Sequence, residues 1–146
     1  MSRLLSFIKV KNVFLGEKDF QQLFLINKYL SKKYNIKIIN CPIIRDKNKI
    51  ALSTRNNLLD NKSYKKATFI IKNLFNLKKK ISFRTKNHYF LLKKSIKLLE
   101  KNYKIKIDYL ELRNEINLSK YIIKKKMRLF IAYYLGNVRL IDNIKL

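Results

Sequence analysis

Between Asn12 and Ile39 the chain carries a pattern that admits one kind of strand pairing. Asn12 to Leu15 is a short apolar run stopped by Gly16, as a buried strand would be. After it Phe20, Leu23, Phe24, Ile26 and Leu30 recur at helical intervals up to Lys33. Ile36 to Ile39 is a second β-branched run ending near Cys41 and Pro42. Two strands joined through a helix pair in parallel, because an antiparallel pair needs only a hairpin. Residues 1–44 are thus predicted as a β-α-β unit, with the end of a helix at Leu4 to Ile8. A unit of this kind normally sits in a larger sheet. Nothing upstream supplies further strands, so the chain is expected to begin in the middle of an α/β domain or to borrow its neighbours from another molecule.

Residues 45–146 read differently. Arg45 to Asn57 is polar without a sustained period, which predicts a loop or hinge. Tyr64 to Leu77 and Tyr89 to Leu99 show apolar residues three and four apart with Lys on the other face, as helices packed on one side do. The period then falls to two. Ile105, Ile107 and Tyr109, and less cleanly Leu110 to Leu112, predict one strand; Leu129 to Leu135 and Val138 to Ile144 predict two more. Gly136-Asn137 joins the last two as a hairpin turn, since both residue types tolerate positive φ. The expected fold class is therefore α/β, with helices on a three-stranded antiparallel sheet in the second part.

A formal net charge of +26 invites a nucleic-acid reading. Against it, Lys outnumbers Arg 28 to 7 and is scattered along the whole chain. Base and phosphate readers favour the planar fork of Arg. Lys, Ile, Asn, Phe and Tyr are abundant beside only 2 Gly and 1 Pro, which is the mark of compositional drift toward a solvated basic surface. Hydrophobic residues at 47% argue for a folded chain. The single cysteine, Cys41, excludes an internal disulfide and is expected to be a small buried hydrophobe, and no Cys/His group has zinc-ligand spacing. No apolar run approaches the ~18 residues of a membrane span, and a cytoplasmic location is expected. His88 lies in a polar stretch and is expected at the surface, and the Lys124 to Lys126 run in a solvated turn.

Gly16-Glu17-Lys18-Asp19-Phe20-Gln21-Gln22 stands where a strand feeds a helix N-terminus. Exposed N–H groups and the positive end of the helix dipole favour an anion there; Gly16 permits close backbone approach and Lys18 adds a full positive charge. Asp19 could accept from ribose hydroxyls. The plainer alternative is that Gly16 only makes the turn while Asp19 and Gln22 form a capping box. Spacing alone leaves both open.

Gly16 to Leu23, GEKDFQQL, resembles a signature of the pantothenate synthetase (pantoate-beta-alanine ligase) family. Two more matches follow in order. Pro42-Ile43-Ile44-Arg45 with Ala51-Leu52-Ser53-Thr54-Arg55-Asn56 resembles its proline-led strand end and Leu-Ser-Ser-Arg-Asn loop, and Tyr134 to Asn143 resembles its terminal hairpin. From Lys62 to Met127 the likeness is one of pattern. The resemblance implies that residues 1–44 are the end of a Rossmann-like, nucleotidylyltransferase-type domain and 45–146 a C-terminal α+β lid domain.

It further implies an enzyme that activates pantoate as an acyl-adenylate with ATP, brought as its Mg²⁺ complex, and lets beta-alanine displace AMP. Carried onto this chain, Gly16, Glu17, Lys18, Asp19, Ile44, Leu52, Ser53, Thr54 and Arg55 would bind ATP and Gln22 would hold pantoate. Ile44 would meet the adenine through its backbone. Lys18, Ser53 and Arg55 would carry the chemistry, as fixed cations and a hydroxyl aimed at the developing pyrophosphate charge. No protein-bound metal is implied, and the family's assembly is a homodimer. Thr54 stands where Ser is usual, and Lys49 where Gly is usual, so Asn48 is expected to make the turn. The family's upstream half, with its His-x-Gly-His-type motif, has no counterpart here. A working ligase assembled with a separate chain is thus the leading expectation. An inactive remnant with an open sheet edge is the second, and a basic nucleic-acid-binding module the third.

Overall fold

Within residues 1–44 the alternation of strand and helix periods is realised as written. In the computed structural model, which describes residues 1–81, 87–120, 122 and 126–146, the chain divides into two compact units, Met1–Ile44 and Arg45–Leu146. Lys124 and Lys125 of the basic run lie outside the described residues. No helix among the described residues is long and apolar enough to cross a membrane.

The first unit runs α1 (Ser2–Phe7), β1 (Asn12–Gly16), a 3₁₀ turn (Glu17–Asp19), α2 (Phe20–Lys33) and β2 (Lys37–Cys41). β1 and β2 are parallel, in register from Asn12↔Lys37 to Gly16↔Cys41. The helix α2 buries Phe20, Leu23 and Ile26, residues three apart on one face. It ends without glycine. Asn35 takes the left-handed conformation (φ 49°), so that Asn35 N–H returns to Lys32 O and Ile36 N–H to Ser31 O, at 3.3 and 2.9 Å, closing a Schellman motif. No residue of β1 or β2 is buried; Phe14 is 66% exposed, and Cys41 is half-buried where a buried position was expected. Two strands alone have too few neighbours to cover their faces.

In the second unit α3 (Asn61–Lys80) and α4 (His88–Tyr103) lie against the antiparallel sheet β3 (Lys106–Asn114), β4 (Met127–Leu135), β5 (Val138–Lys145), in the order β3-β4-β5. Both helices run beyond their apolar-periodic stretches. At the start of α3 the Asp60 carboxylate accepts the Ser63 N–H at 2.7 Å, which begins the helix one turn before Tyr64. Ala67, Ile70, Ile71, Leu74 and Leu77 are its buried stripe. They join Leu92, Leu99, Leu110, Leu112, Leu129, Ile131, Leu140 and Ile144 in one core. Each such aliphatic side chain removed from water contributes about 1.5–3 kcal/mol. β4, flanked on both sides, is buried at every position but Tyr134.

The irregular alternation after Tyr109 has a local cause: the ladder slips between Ile107 and Tyr109, leaving Asp108 out of register. Gly136-Asn137 joins β4 and β5 as the expected hairpin turn, with Gly136 at positive φ (+59°). His88 is a correction. It is 5% exposed, because it opens α4 on the face that continues through Leu92 and Ile96 and lines a cavity of about 330 Å³ with Leu110 and Leu112. The polar residues before it had suggested a surface position, whereas its i, i+4 spacing to Leu92 was the better signal.

Candidate functional site

In the first unit the chain leaves β1 at Gly16 with φ −70° and ψ 133°, an extended geometry open to any residue. The turn therefore does not require glycine, and a Cβ built there meets nothing within 4 Å. Glu17, Lys18 and Asp19 form the 3₁₀ turn that feeds α2. Glu17 and Lys18 are half-buried, while Gly16, Asp19 and Gln22 are exposed. Asp19 occupies the N-cap position of α2 but makes no side-chain cap hydrogen bond, so no capping box forms. Of the two readings that spacing left open, the purely structural one lacks both of its supports. The segment presents a helix N-terminus with a carboxylate and an amide three residues apart on its first turn. Ile44, the last residue of this unit, is 70% exposed.

The second unit holds Leu52, Ser53, Thr54 and Arg55 together. Ser53 caps a 3₁₀ turn (Thr54–Leu58), its Oγ accepting the Arg55 N–H at 3.3 Å. Leu52, Thr54 and Arg55 are exposed and Ser53 is half-buried. Arg55 forms no ion pair with a carboxylate among the described residues; its Nη1 donates to the Arg139 carbonyl at 3.2 Å. Asn56 Nδ2 closes the segment on the Ala51 carbonyl at 3.1 Å.

Upstream, the stretch expected as a hinge is tied down on several sides. Arg45 and Ala51 form an antiparallel bridge. Asp46 Oδ1 accepts the N–H groups of Asn48 and Ile50 at 2.8 and 2.9 Å, and its Oδ2 accepts the Tyr64 hydroxyl. That bond to Asp46 raises the Tyr64 phenol above its ordinary value of 10. The phenol's contribution to the fold is thus complete below pH 10 and lost as the pH climbs through its raised pKa. Lys49, not Asn48, takes the left-handed turn, at φ 68°. The backbone needs that conformation there whatever residue supplies it.

Arg45 closes the stretch onto β5. Its guanidinium makes a fork to Asp142, at 2.7 and 2.9 Å, and also donates to the carbonyls of Lys49 and Asn143, at 2.9 and 3.1 Å. The Phe75 ring lies 5.5 Å from the cation. Asp46, Tyr64, Arg139 and Asp142 were given no role from sequence. For Asp142 a signal existed: it shares the core-facing register of β5 with Leu140 and Ile144, and a carboxylate at such a position needs a buried partner. No group of three or more His, Cys, Asp or Glu among the described residues is placed to hold a metal ion.

Comparison with known proteins gives these segments a context. The sequence profile of the family described as pantoate-beta-alanine ligase matches residues 1–145. The pantothenate synthetase of Flavobacterium psychrophilum is 36% identical over all of this chain and 52% of its own length, and that of Buchnera aphidicola is 38% identical with the same coverage. The chain thus spans about half the length of the curated relatives it matches. Among solved structures, pantothenate synthetase from Thermus thermophilus shares the fold over 98% of this chain and 52% of its own, with a TM-score of 0.80 at 23% identity. Pantoate-beta-alanine ligase from Francisella tularensis, complexed with beta-gamma ATP and beta-alanine, aligns over 98% of this chain and 46% of its own, with a TM-score of 0.68 at 32% identity.

Proposed function

The chain belongs to the pantoate-beta-alanine ligase family, and on that premise we propose that it contributes to the ATP-dependent condensation of pantoate with beta-alanine. In the first step a pantoate carboxylate oxygen attacks the α-phosphorus of ATP, forming pantoyl-adenylate and releasing pyrophosphate. In the second the amine of beta-alanine attacks the acyl carbon and AMP leaves with the bonding electrons, giving pantothenate. Magnesium enters with ATP, whose phosphates supply most of its coordination.

Gly16, Glu17, Lys18 and Asp19 bind ATP at the start of α2, and Gln22 on the same turn holds pantoate. Lys18 and Arg55 supply the cations, and Ser53 and Thr54 the hydroxyl donors, for the negative charge that moves onto pyrophosphate. Leu52 covers the nucleotide and Ile44 meets the adenine through its backbone. No general base is needed, because the amine attacks an acyl group already activated and positioning supplies much of the rate. The observation that carries this reading is Gly16. Neither its backbone angles nor its surroundings call for glycine, whereas a nucleotide brought against the bare backbone does. The exposed Thr54 and Arg55 beside the half-buried Ser53 fit the same role.

The chain spans about half the length of these relatives, so the test supplies the rest of that length as a separate piece. The test mixes the purified chain with the half of the Flavobacterium psychrophilum enzyme that has no counterpart here, and follows pyrophosphate release dependent on both pantoate and ATP. Release in the mixture and not from either piece alone is the expected result. No release in the mixture, while the intact relative turns over, overturns the proposal in favour of an inactive remnant.

A further inference from the structure

Of the three sequence segments that align with the family, the hairpin Tyr134 to Asn143 is the one with no assigned task. In the fold its second strand, β5, is where both ends of the 45–55 segment are fastened. Arg45 at one end forks onto Asp142, at 2.7 and 2.9 Å, and reaches the Asn143 carbonyl at 3.1 Å; Arg55 at the other end donates to the Arg139 carbonyl at 3.2 Å. The turn Thr54–Leu58 packs on the same strand. The two anchor points, Arg139 and Asp142, are three positions apart, so they lie along one strand about 10 Å apart.

We propose that Asp142 is a positioning residue for the Ser53–Arg55 segment: it fixes Arg45, and through Arg45 the register of the loop that meets the nucleotide phosphates. The choice of residues supports this. A carboxylate 8% exposed beside Leu140 and Ile144 is a costly way to fill a core, and an apolar pair of the same volume would be at least as stable there. What the fork adds over an apolar contact is geometry. Two parallel N–H···O bonds define the direction of Arg45, and Asp142 Oδ1 is itself held by the Asn143 N–H at 2.7 Å. Arg45 Nη1 also donates to the Lys49 carbonyl, which passes that constraint to the turn at Asp46–Ile50, and that turn leads through Ala51 into Leu52 and Ser53.

This inference rests on the proposed ligase reading and deepens it. The experiment uses the full chain in the complemented mixture and compares wild type with Asp142→Asn and with the double variant Arg45→Met/Asp142→Leu. Asp142→Asn is nearly isosteric and leaves Arg45 without its counter-charge. Its melting temperature is expected to fall and its KM for ATP to rise about fivefold or more, while the KM for pantoate, assigned to Gln22, stays within about twofold. The double variant removes both charges, so its melting temperature should return toward wild type. Its KM for ATP should stay raised, because the register is still unfixed. A KM for ATP at the wild-type level in the double variant, or in a folded Asp142→Asn, means the pair only fills space and overturns the inference. Absence of turnover by the wild-type mixture is a different result, visible before any variant is measured; it overturns the ligase reading and this inference together.

Discussion

Arg55 meets two demands with one side chain. A guanidinium carries five donors, and its Nη1 holds the Arg139 carbonyl while no carboxylate among the described residues competes for the rest. The side chain is exposed and oriented, the state expected of a cation that waits for phosphate. Lys18 is half-buried on the 3₁₀ turn and is the other cation of the proposed site. In the complemented enzyme Lys18→Ala and Arg55→Ala should each lower kcat/KM for ATP at least tenfold, or about 1.4 kcal/mol of barrier; steady-state pyrophosphate release checks this, and wild-type rates in both would refute the roles. Lys49 shows the opposite relation between residue and position. With few glycines available, the left-handed conformation at φ 68° falls on a side chain that is strained by it, and Lys104 after α4 bears the same load at φ 49°. Lys49→Gly should stabilise the second unit by about 0.5–1 kcal/mol, seen as a shift in the urea midpoint with the slope unchanged. That Gly16 sits on a strand end could be read from the sequence; that Lys49, and not Asn48, takes the strained turn could not, because φ depends on where the flanking hydrogen bonds lead.

At the scale of elements, the cap of α3 gives the clearest handle. The hydroxyl and then the N–H of Ser63 bind the Asp60 carboxylate and hold its pKa below the ordinary 3.8. A depressed carboxylate pKa means the folded state sheds that proton more readily than the unfolded one. The contribution is therefore present above the unfolded pKa and is lost as pH falls through the folded one. Asp60→Ala should lower the melting temperature at pH 7 by a few degrees, and the gap from wild type should close as the pH is taken below 3.8, followed by circular dichroism across the acid range. At the alkaline end Tyr133, whose phenol is raised chiefly by burial and then by Asp142, should stay protonated well past 10. Periodicity identified every described α-helix and strand here, since α3, α4 and β3 to β5 each carry their apolar stripe in local sequence, and it gave no sign of the 3₁₀ turn Thr54–Leu58. It missed the ends, which depend on single caps, and it missed His88, whose burial depends on Leu110 and Leu112 more than twenty residues away.

For the molecule as a whole, 35 basic side chains face 9 acidic ones, and the few carboxylates are largely committed. Asp142, Glu115, Glu111 and Asp108 each pair with an arginine, so the lysines repel one another with little local compensation. Raising salt from about 0.01 to about 0.2 M shortens the screening length from ~30 Å to below 10 Å. The melting temperature should rise over that range, and a flat response in differential scanning calorimetry would show that the charge is already neutralised within the fold. The parallel pair and the helices on an antiparallel sheet were decided by sequence, because each follows from short-range periodicity, whereas at Gly16 spacing left an anion site and a capping box both open. The tertiary structure alone decided that Arg45 closes on Asp142 and that Arg55 rests on Arg139. Those outcomes join residues up to 97 positions apart, and only packing determines which distant donor finds which acceptor.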